Sequence, residues 1–486
     1  MSKLILANRL FVPEELVTPE IEQQFTYPIN WVEQIGNEMV DRQEIYKTYQ
    51  AGTPYYGFAR GNLQKILNIF GDYEIEDRRA IVPLGYGLEM LEELEDGTIQ
   101  ANDSRWPEQT AALAAWIRQG FGIMKAPAGW GKTVWSWRLI SALKQRTLLL
   151  AHTTGLRDQF IARGYKHTNL KDLERIHGKL AGSYDSYGDQ LYPITASTFQ
   201  SWYSVTQKTR LADLQNQFGL ILVDEGHHAS ALSYARIILE LNPMFLASIT
   251  ATPYRKDGTH VLTFDVVGPV VVEAHGEQLP CEVEYVRTSL EIDPAIANHY
   301  YAGPWNYIMK QLIKNKERNE LVIDKVHADV RAGHKVLVLS DRNNHVEWIH
   351  QQLTAIGCRS AIILGYTWNR EEIKQKMIHG DLDVIVSGKV FNEGEDVPPL
   401  SALHLVTPNS NEALTEQRAG RIRRPWPGKM PPVIRDYLDF GHSMLFAAKN
   451  TRERVYVRLN FKLPTPVKRT TADVGLAMWD PRKGQA

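Results

Sequence analysis

The feature that most constrains the fold of this chain is a repeated alternation. Short, continuous apolar runs of strand length are separated by stretches with helical patterning. One series comprises "TLLLAH" (147–152), "YPITAS" (192–197), "GLILVDE" (219–225) and "FLASITA" (245–251). A second series follows: "HKVLVLSD" (334–341), "RSAIILG" (359–365), "LDVIVSG" (382–388), "ALHLVTP" (402–408) and "VIRDYLDF" (433–440). Strands that are apolar throughout, rather than alternating, are covered on both faces, as in parallel sheets flanked by helices. The expected fold class is therefore α/β, with two tandem parallel-sheet domains. Residues 1–95, rich in aromatics and closing on the acidic "LEMLEELEDG", have a different texture and are expected to form a small α+β accessory domain. The expected divisions are 96–287 for the first α/β domain, 288–463 for the second, and 464–486 for a mobile tail punctuated by Pro and Gly.

Composition narrows the class further. A formal net charge of −1 provides no global field for a polyanion, so any nucleic-acid contact must use local patches. The two cysteines, Cys281 and Cys358, lack metal-like spacing and are expected as buried thiols in a reducing compartment. The apolar patch in "MSKLILANRLFV" is broken at Asn8 and Arg9, too short for a secretory signal. No uninterrupted apolar run approaches the ~20 residues that span a bilayer. A soluble, cytoplasmic protein is expected.

The stretch "APAGWGKT" (126–133) lies between an apolar run and a long amphipathic one. Gly129 and Gly131 would let backbone N–H groups approach phosphates, together with Ala128, Trp130 and Val134 around the loop. Lys132 would reach the β/γ oxygens, and the Thr133 hydroxyl would ligate Mg²⁺. Trp130 occupies the variable loop position, where packing over the loop is favoured and capping of the phosphates is the alternative. A GK[ST] tripeptide arises often by chance, but Asp224-Glu225 closes a strongly apolar run downstream. Carboxylates at the carboxyl end of such a strand suit a magnesium ligand, Asp224, and a group that orients or deprotonates the attacking water, Glu225.

From here the chain resembles the superfamily-2 helicases. "DEGH" (224–227) is similar to their DExH motif, and "AxxGxGKT" to their P-loop. "RWPEQ" (105–109) resembles the adenine-reading element, with Gln109 as the base contact, although Trp106 and Glu108 replace the usual Arg and Tyr. "AHTTGLRDQF" and "ITASTFQS" resemble the nucleic-acid elements, pointing to Thr153, Thr198 and Gln200. "SITATPYRKDG" resembles motif III, with Thr250 and Thr252, followed by an Arg255-x-Asp-Gly extension shared by XPB-like and phage recombination helicases. "VIVSGKVFNEGEDVP" resembles motif V, with Ser387 and Asp396, and "EQRAGRIRRP" resembles motif VI, with Gln417, Arg421 and Arg424.

The resemblance implies two RecA-like lobes and ATP and Mg²⁺ as cofactors. Arg421 and Arg424, three residues apart on one helix face, are expected to act as arginine fingers across a closing cleft. His227 would couple the ATP site to Thr250 or Thr252, with a satisfied core histidine as the bland alternative. Thr153, Thr198, Gln200, Arg255 and Ser387 would grip a strand backbone, although hydroxyls at strand ends also serve as turn formers. The expected activity is that of an ATP-dependent DNA helicase or translocase. It would act as a monomer on forks and Holliday junctions, in the host cytoplasm if phage-encoded. The first segment, with "YYGFARGNLQKILNIFGDYEIEDRR", resembles the front domains of the UvsW-like group, and Arg60, Lys65, Arg78 and Arg79 could form a duplex-binding face there. Rival readings are a DExH RNA helicase, a restriction motor subunit, or a non-catalytic scaffold with a vestigial motor.

Overall fold

The computed structural model describes residues 3–464 except 36–37, 72, 128, 174–176, 181–191, 207–210, 227–231, 255–259, 301–302, 389–390 and 392–396. The chain divides into two compact units, 1–276 and 277–486. No described helix is long and apolar enough to cross a membrane.

The first unit is built on a seven-stranded sheet, parallel throughout. Its order is His177–Leu180, Ile194–Thr198, Thr147–Ala151, Leu220–Asp224, Phe245–Thr250, Phe121–Lys125 and Val270–Glu273. Helices on both faces bury it. The helix Lys132–Leu143 has six consecutive buried residues, Trp135 to Ile140. Trp135 meets Trp116 edge-on, and Trp137 stacks on Phe160, so these indoles are core, as their place in amphipathic helices implies. Gly164 must be glycine, because a Cβ there would lie 2.3 Å from the Trp137 ring.

In front of this sheet sits a smaller one of five strands, ordered Tyr49–Gln50, Tyr55–Ala59, Arg9–Pro13, Leu4–Leu6 and Ile75–Asp77. The only parallel pairing in it is between its last two strands. A separate antiparallel hairpin, Thr26–Ile35 with Glu38–Lys47, branches from it. Of the four cations that could form a duplex-binding face, Arg60 and Arg79 reach carbonyls of the large-sheet segment, whereas Lys65 and Arg78 are held within the small module. Arg60 is 2% exposed and donates to the Pro243 carbonyl at 3.1 Å. Arg79 chelates Asp77 and donates to the Met244 carbonyl. Lys65 donates to the Gln24 carbonyl and lies over the Phe25 ring, and Arg78 pairs with Glu76. Composition cannot distinguish a cation turned toward solvent from one that spans an internal seam; here the seam uses Arg60 and Arg79, while Arg78 stays exposed.

The second unit carries a six-stranded sheet, also parallel throughout. The order is Glu282–Glu291, Val433–Phe440, Ala402–Leu405, Val336–Leu339, Val384–Ser387 and Ser360–Ile363. All five apolar runs of the second series form its strands. Ion pairs are threaded through its core. Arg318 is paired with Asp439, both side chains fully buried, and Arg452 with Asp436, at 2% and 1% exposure. Both architectures match the expected α/β class, two tandem RecA-like sheets preceded by a small α+β module.

Candidate nucleotide site and helicase motifs

Three neighbouring strands of the first sheet deliver the motifs to one edge. Phe121–Lys125 leads into the glycine-rich loop, Phe245–Thr250 lies beside it, and Leu220–Asp224 comes next. In parallel strands all carboxyl ends share that edge, where open α/β sheets place their ligands. The Ala126 amide donates to the Thr250 carbonyl at 3.0 Å, so the loop starts from a fixed point on the motif III strand.

The loop has the backbone that close phosphate approach requires. Gly129 and Gly131 adopt φ of +86° and +95°. Gly131 is the N-cap of the helix Lys132–Leu143, with no side-chain cap on the first amides. Uncapped amides and the helix dipole there favour an anion. Lys132 Nζ is 3.4 Å from Glu225 Oε1, with side-chain exposures of 15% and 12%. The Glu225 amide donates to Asp224 Oδ1 at 3.0 Å. Glu225 itself sits at φ +49°, a left-handed turn that lifts its carboxylate off the strand. Gly226 follows from packing: a Cβ there would lie 1.7 Å from the buried Ser248 Oγ.

Among the described residues no group of three or more His, Cys, Asp or Glu could hold a metal. Mg²⁺ binds through one or two oxygen ligands plus substrate phosphates rather than in a protein cage. Thr133 and Asp224 are the oxygen donors that would hold it.

The two departures in the adenine-side element have structural partners. Trp106 lies under the Arg138 guanidinium, 3.7 Å from ring centroid to Cζ. Glu108 accepts from Trp130 Nε1 at 2.6 Å and from the His275 amide at 3.0 Å. Trp130 is 1% exposed, so the indole packs beneath the loop, with Gly276 against its edge. Gln109 donates to the Trp130 carbonyl at 2.8 Å and accepts from Arg138 at 3.3 Å. Sequence reasoning treated Glu108 as a lapse in the motif; the side chain instead braces the P-loop's unusual tryptophan.

The other motif residues fall as follows. Thr153 caps the helix Thr154–His167, its hydroxyl accepting from Leu156 N. Thr198 is 5% exposed and exchanges hydrogen bonds with Ser201. Gln200 donates to the Tyr234 hydroxyl at 2.8 Å. Thr250 is fully buried and its hydroxyl accepts from Thr252 N. Ser387, also fully buried, donates to the Ile363 carbonyl at 2.5 Å. Ala128, His227, Arg255 and Asp396 lie outside the described residues.

Gln417 and Arg421 lie on the helix Glu412–Ile422, capped by the Asn411 side chain. Arg424 does not share that helix, contrary to the one-face reading. It precedes Pro425, and a residue before proline is disfavoured in the α region, so the helix ends at Ile422.

Residues 104–255 match the family model for the type III restriction enzyme res subunit, and residues 317–425 the model for the helicase conserved C-terminal domain. The chain belongs to the superfamily-2 helicases. Among the helicase's relatives is a protein of Escherichia phage T5 named Probable helicase D10. It is 27% identical over 346 residues, covering 71% of this chain and 73% of the relative. The DNA 3'-5' translocase XPB2 of Sulfurisphaera tokodaii is 27% identical over 354 residues, covering 65% of this helicase and 77% of the relative. The structure of a point variant of S. cerevisiae Dbp5 bound to RNA and ADP BeF3 superposes with a TM-score of 0.51 at 13% identity. It covers 73% of this helicase and 88% of that chain, a likeness of fold.

Proposed function

We propose that this helicase couples ATP hydrolysis to movement along DNA and remodels branched DNA, at forks and four-way junctions, in replication, recombination or repair. The observation that carries the motor reading is the Lys132–Glu225 pair, 3.4 Å apart at the carboxyl edge of the first sheet beside the uncapped P-loop helix. Lys132, released from Glu225 by an incoming γ-phosphate, binds that phosphate in place of the carboxylate. Glu225, so freed, orients and deprotonates water. Asp224 and Thr133 would hold Mg²⁺, whose charge would offset that of the β- and γ-phosphates. Arg421 and Arg424 contribute guanidinium charge to the transferring phosphoryl group, and Gln417 orients it. The bound nucleotide is further contacted by Gln109, Ala128, Gly129, Trp130, Gly131, Val134 and Asp396, with Trp130 acting through its backbone. Thr153, Thr198, Gln200, Arg255 and Ser387 follow the strand backbone, and His227, Thr250 and Thr252 relay the nucleotide state. The DNA reading is supported by the named activity of the archaeal translocase relative.

The test is an ATPase assay on a matched panel: single-stranded DNA, duplex, fork, four-way junction and single-stranded RNA. Stimulation is expected to be greatest with forks and junctions. Equal stimulation by single strands and junctions overturns the branched-DNA reading, and stimulation by RNA alone replaces DNA with RNA. Glu225→Gln is expected to lower stimulated turnover by about a hundredfold or more, as removal of a general base does. Unchanged turnover would sink the catalytic assignment.

A further inference from the structure

Trp368 is 90% exposed, whereas Trp116, Trp130, Trp135, Trp137 and Trp202 are each 1% exposed or less. Tyr366, two residues earlier, is 67% exposed. Core packing accounts for the first group and not for this pair. An indole presents a large apolar face, and leaving it in water on a rigid mount marks a contact surface.

The mount is rigid. Thr367 Oγ1 accepts from the Leu364 amide at 2.9 Å, and the Thr367 amide donates to the Leu364 carbonyl. Arg370 donates to three carbonyls of the same turn, those of Leu364, Gly365 and Thr367. The Tyr366 hydroxyl donates to Glu347 Oε1 at 2.6 Å. A loop closed on itself by five such bonds and tied down by a sixth fixes the backbone turn that carries Trp368, whose side chain stands in solvent.

Its position indicates what it holds. The turn leaves the strand Ser360–Ile363 at the carboxyl edge of the second sheet. Ile363 pairs with Ser387, the motif V residue proposed above for the strand path, and its carbonyl accepts a hydrogen bond from the Ser387 hydroxyl. The neighbouring charges cancel: Lys374 pairs with Glu371 and Lys376 with Glu372. A patch that is aromatic and locally neutral suits the face of a base, not a phosphate.

We propose that Trp368, flanked by Tyr366, is a stacking platform for an unpaired nucleobase of the strand that this helicase follows. The proposal rests on the nucleic-acid motor reading and adds the contact that distinguishes a single strand from duplex. In a duplex the base faces are covered by their neighbours, so the platform is selective for opened strand.

The test is anisotropy titration of the full chain with labelled single-stranded DNA, single-stranded RNA and duplex DNA, across a salt series. Trp368→Ala is expected to weaken single-strand binding about tenfold, within the range of one lost base–aromatic stack. Duplex affinity and the slope against log salt stay as in the wild type, because no phosphate contact is removed. Trp368→Phe keeps most of the affinity, and thermal melts of the two variants match the wild type. If Trp368→Ala binds single strands as tightly as the wild type does, the platform is refuted while the motor reading stands. An equal loss on duplex refutes it too. If the wild type binds none of the polymers, both readings fall.

Discussion

Lys429 lies close to motif VI, and its Nζ donates to the Arg424 and Pro398 carbonyls, each at 2.8 Å. Burial, with the Arg424 charge adding to it, pulls the Lys429 amine from its ordinary 10.5 down to about 7. A neutral amine has two N–H groups, which matches the two carbonyl acceptors. The folded pKa is lower than the unfolded one, so from pH 7 to about 10.5 the unfolded chain binds more protons. Stability therefore rises with pH across that window, and the cost is fully present below pH 7. Lys429→Met, which lacks the titrating group, should flatten that part of the curve; Tm measured against pH for both proteins checks it. A wild type and variant with parallel curves would mean that Lys429 stays charged when folded.

At the scale of elements, the turn after Leu220–Asp224 admits little change. Gly226 packs its Cα against Ser248 of the adjacent strand, and a methyl there would overlap the hydroxyl at 1.7 Å. Gly226→Ala is expected to destabilise the first unit by about 1–3 kcal/mol, the usual range for overpacking in a core. Adding Ser248→Gly should recover most of the lost Tm; no recovery would place the strain in the backbone instead. Much of this edge was legible in the sequence, because "GLILVDE" and "FLASITA" are apolar throughout and of strand length, as strands buried on both faces are. Arg424 was misplaced for an equally local reason: its spacing from Arg421 suits a helix, but Pro425 ends one.

Across the whole molecule, the runs of both series became strands of two parallel sheets; the P-loop, Asp224-Glu225 and motif III fell at strand ends, and motif VI on a helix. What the sequence concealed lies in the joints. Arg60 reads as a surface cation, yet it reaches 183 residues along the chain to the Pro243 carbonyl. The hairpin Thr26–Ile35/Glu38–Lys47 was not anticipated, since Pro28 and its mixed polar residues blur the period of two. Long-range contacts of this kind leave no periodic trace.

Trp130 and Glu108 belong to different motifs and make one contact, so neither motif is a free-standing cassette. Transplanting the adenine-side element of a relative, with tyrosine at the Glu108 position, would strand the buried indole N–H. An orphaned buried donor costs about 1–3 kcal/mol. Glu108→Tyr and Trp130→Phe, each made singly and then together, should therefore be non-additive in Tm, the second change costing little once the first is made. Additive losses would show the two motifs to be independent. If they are coupled, drift at either position is conditional on the other, and a motor assembled from the parts of two relatives inherits a defect that neither parent carries.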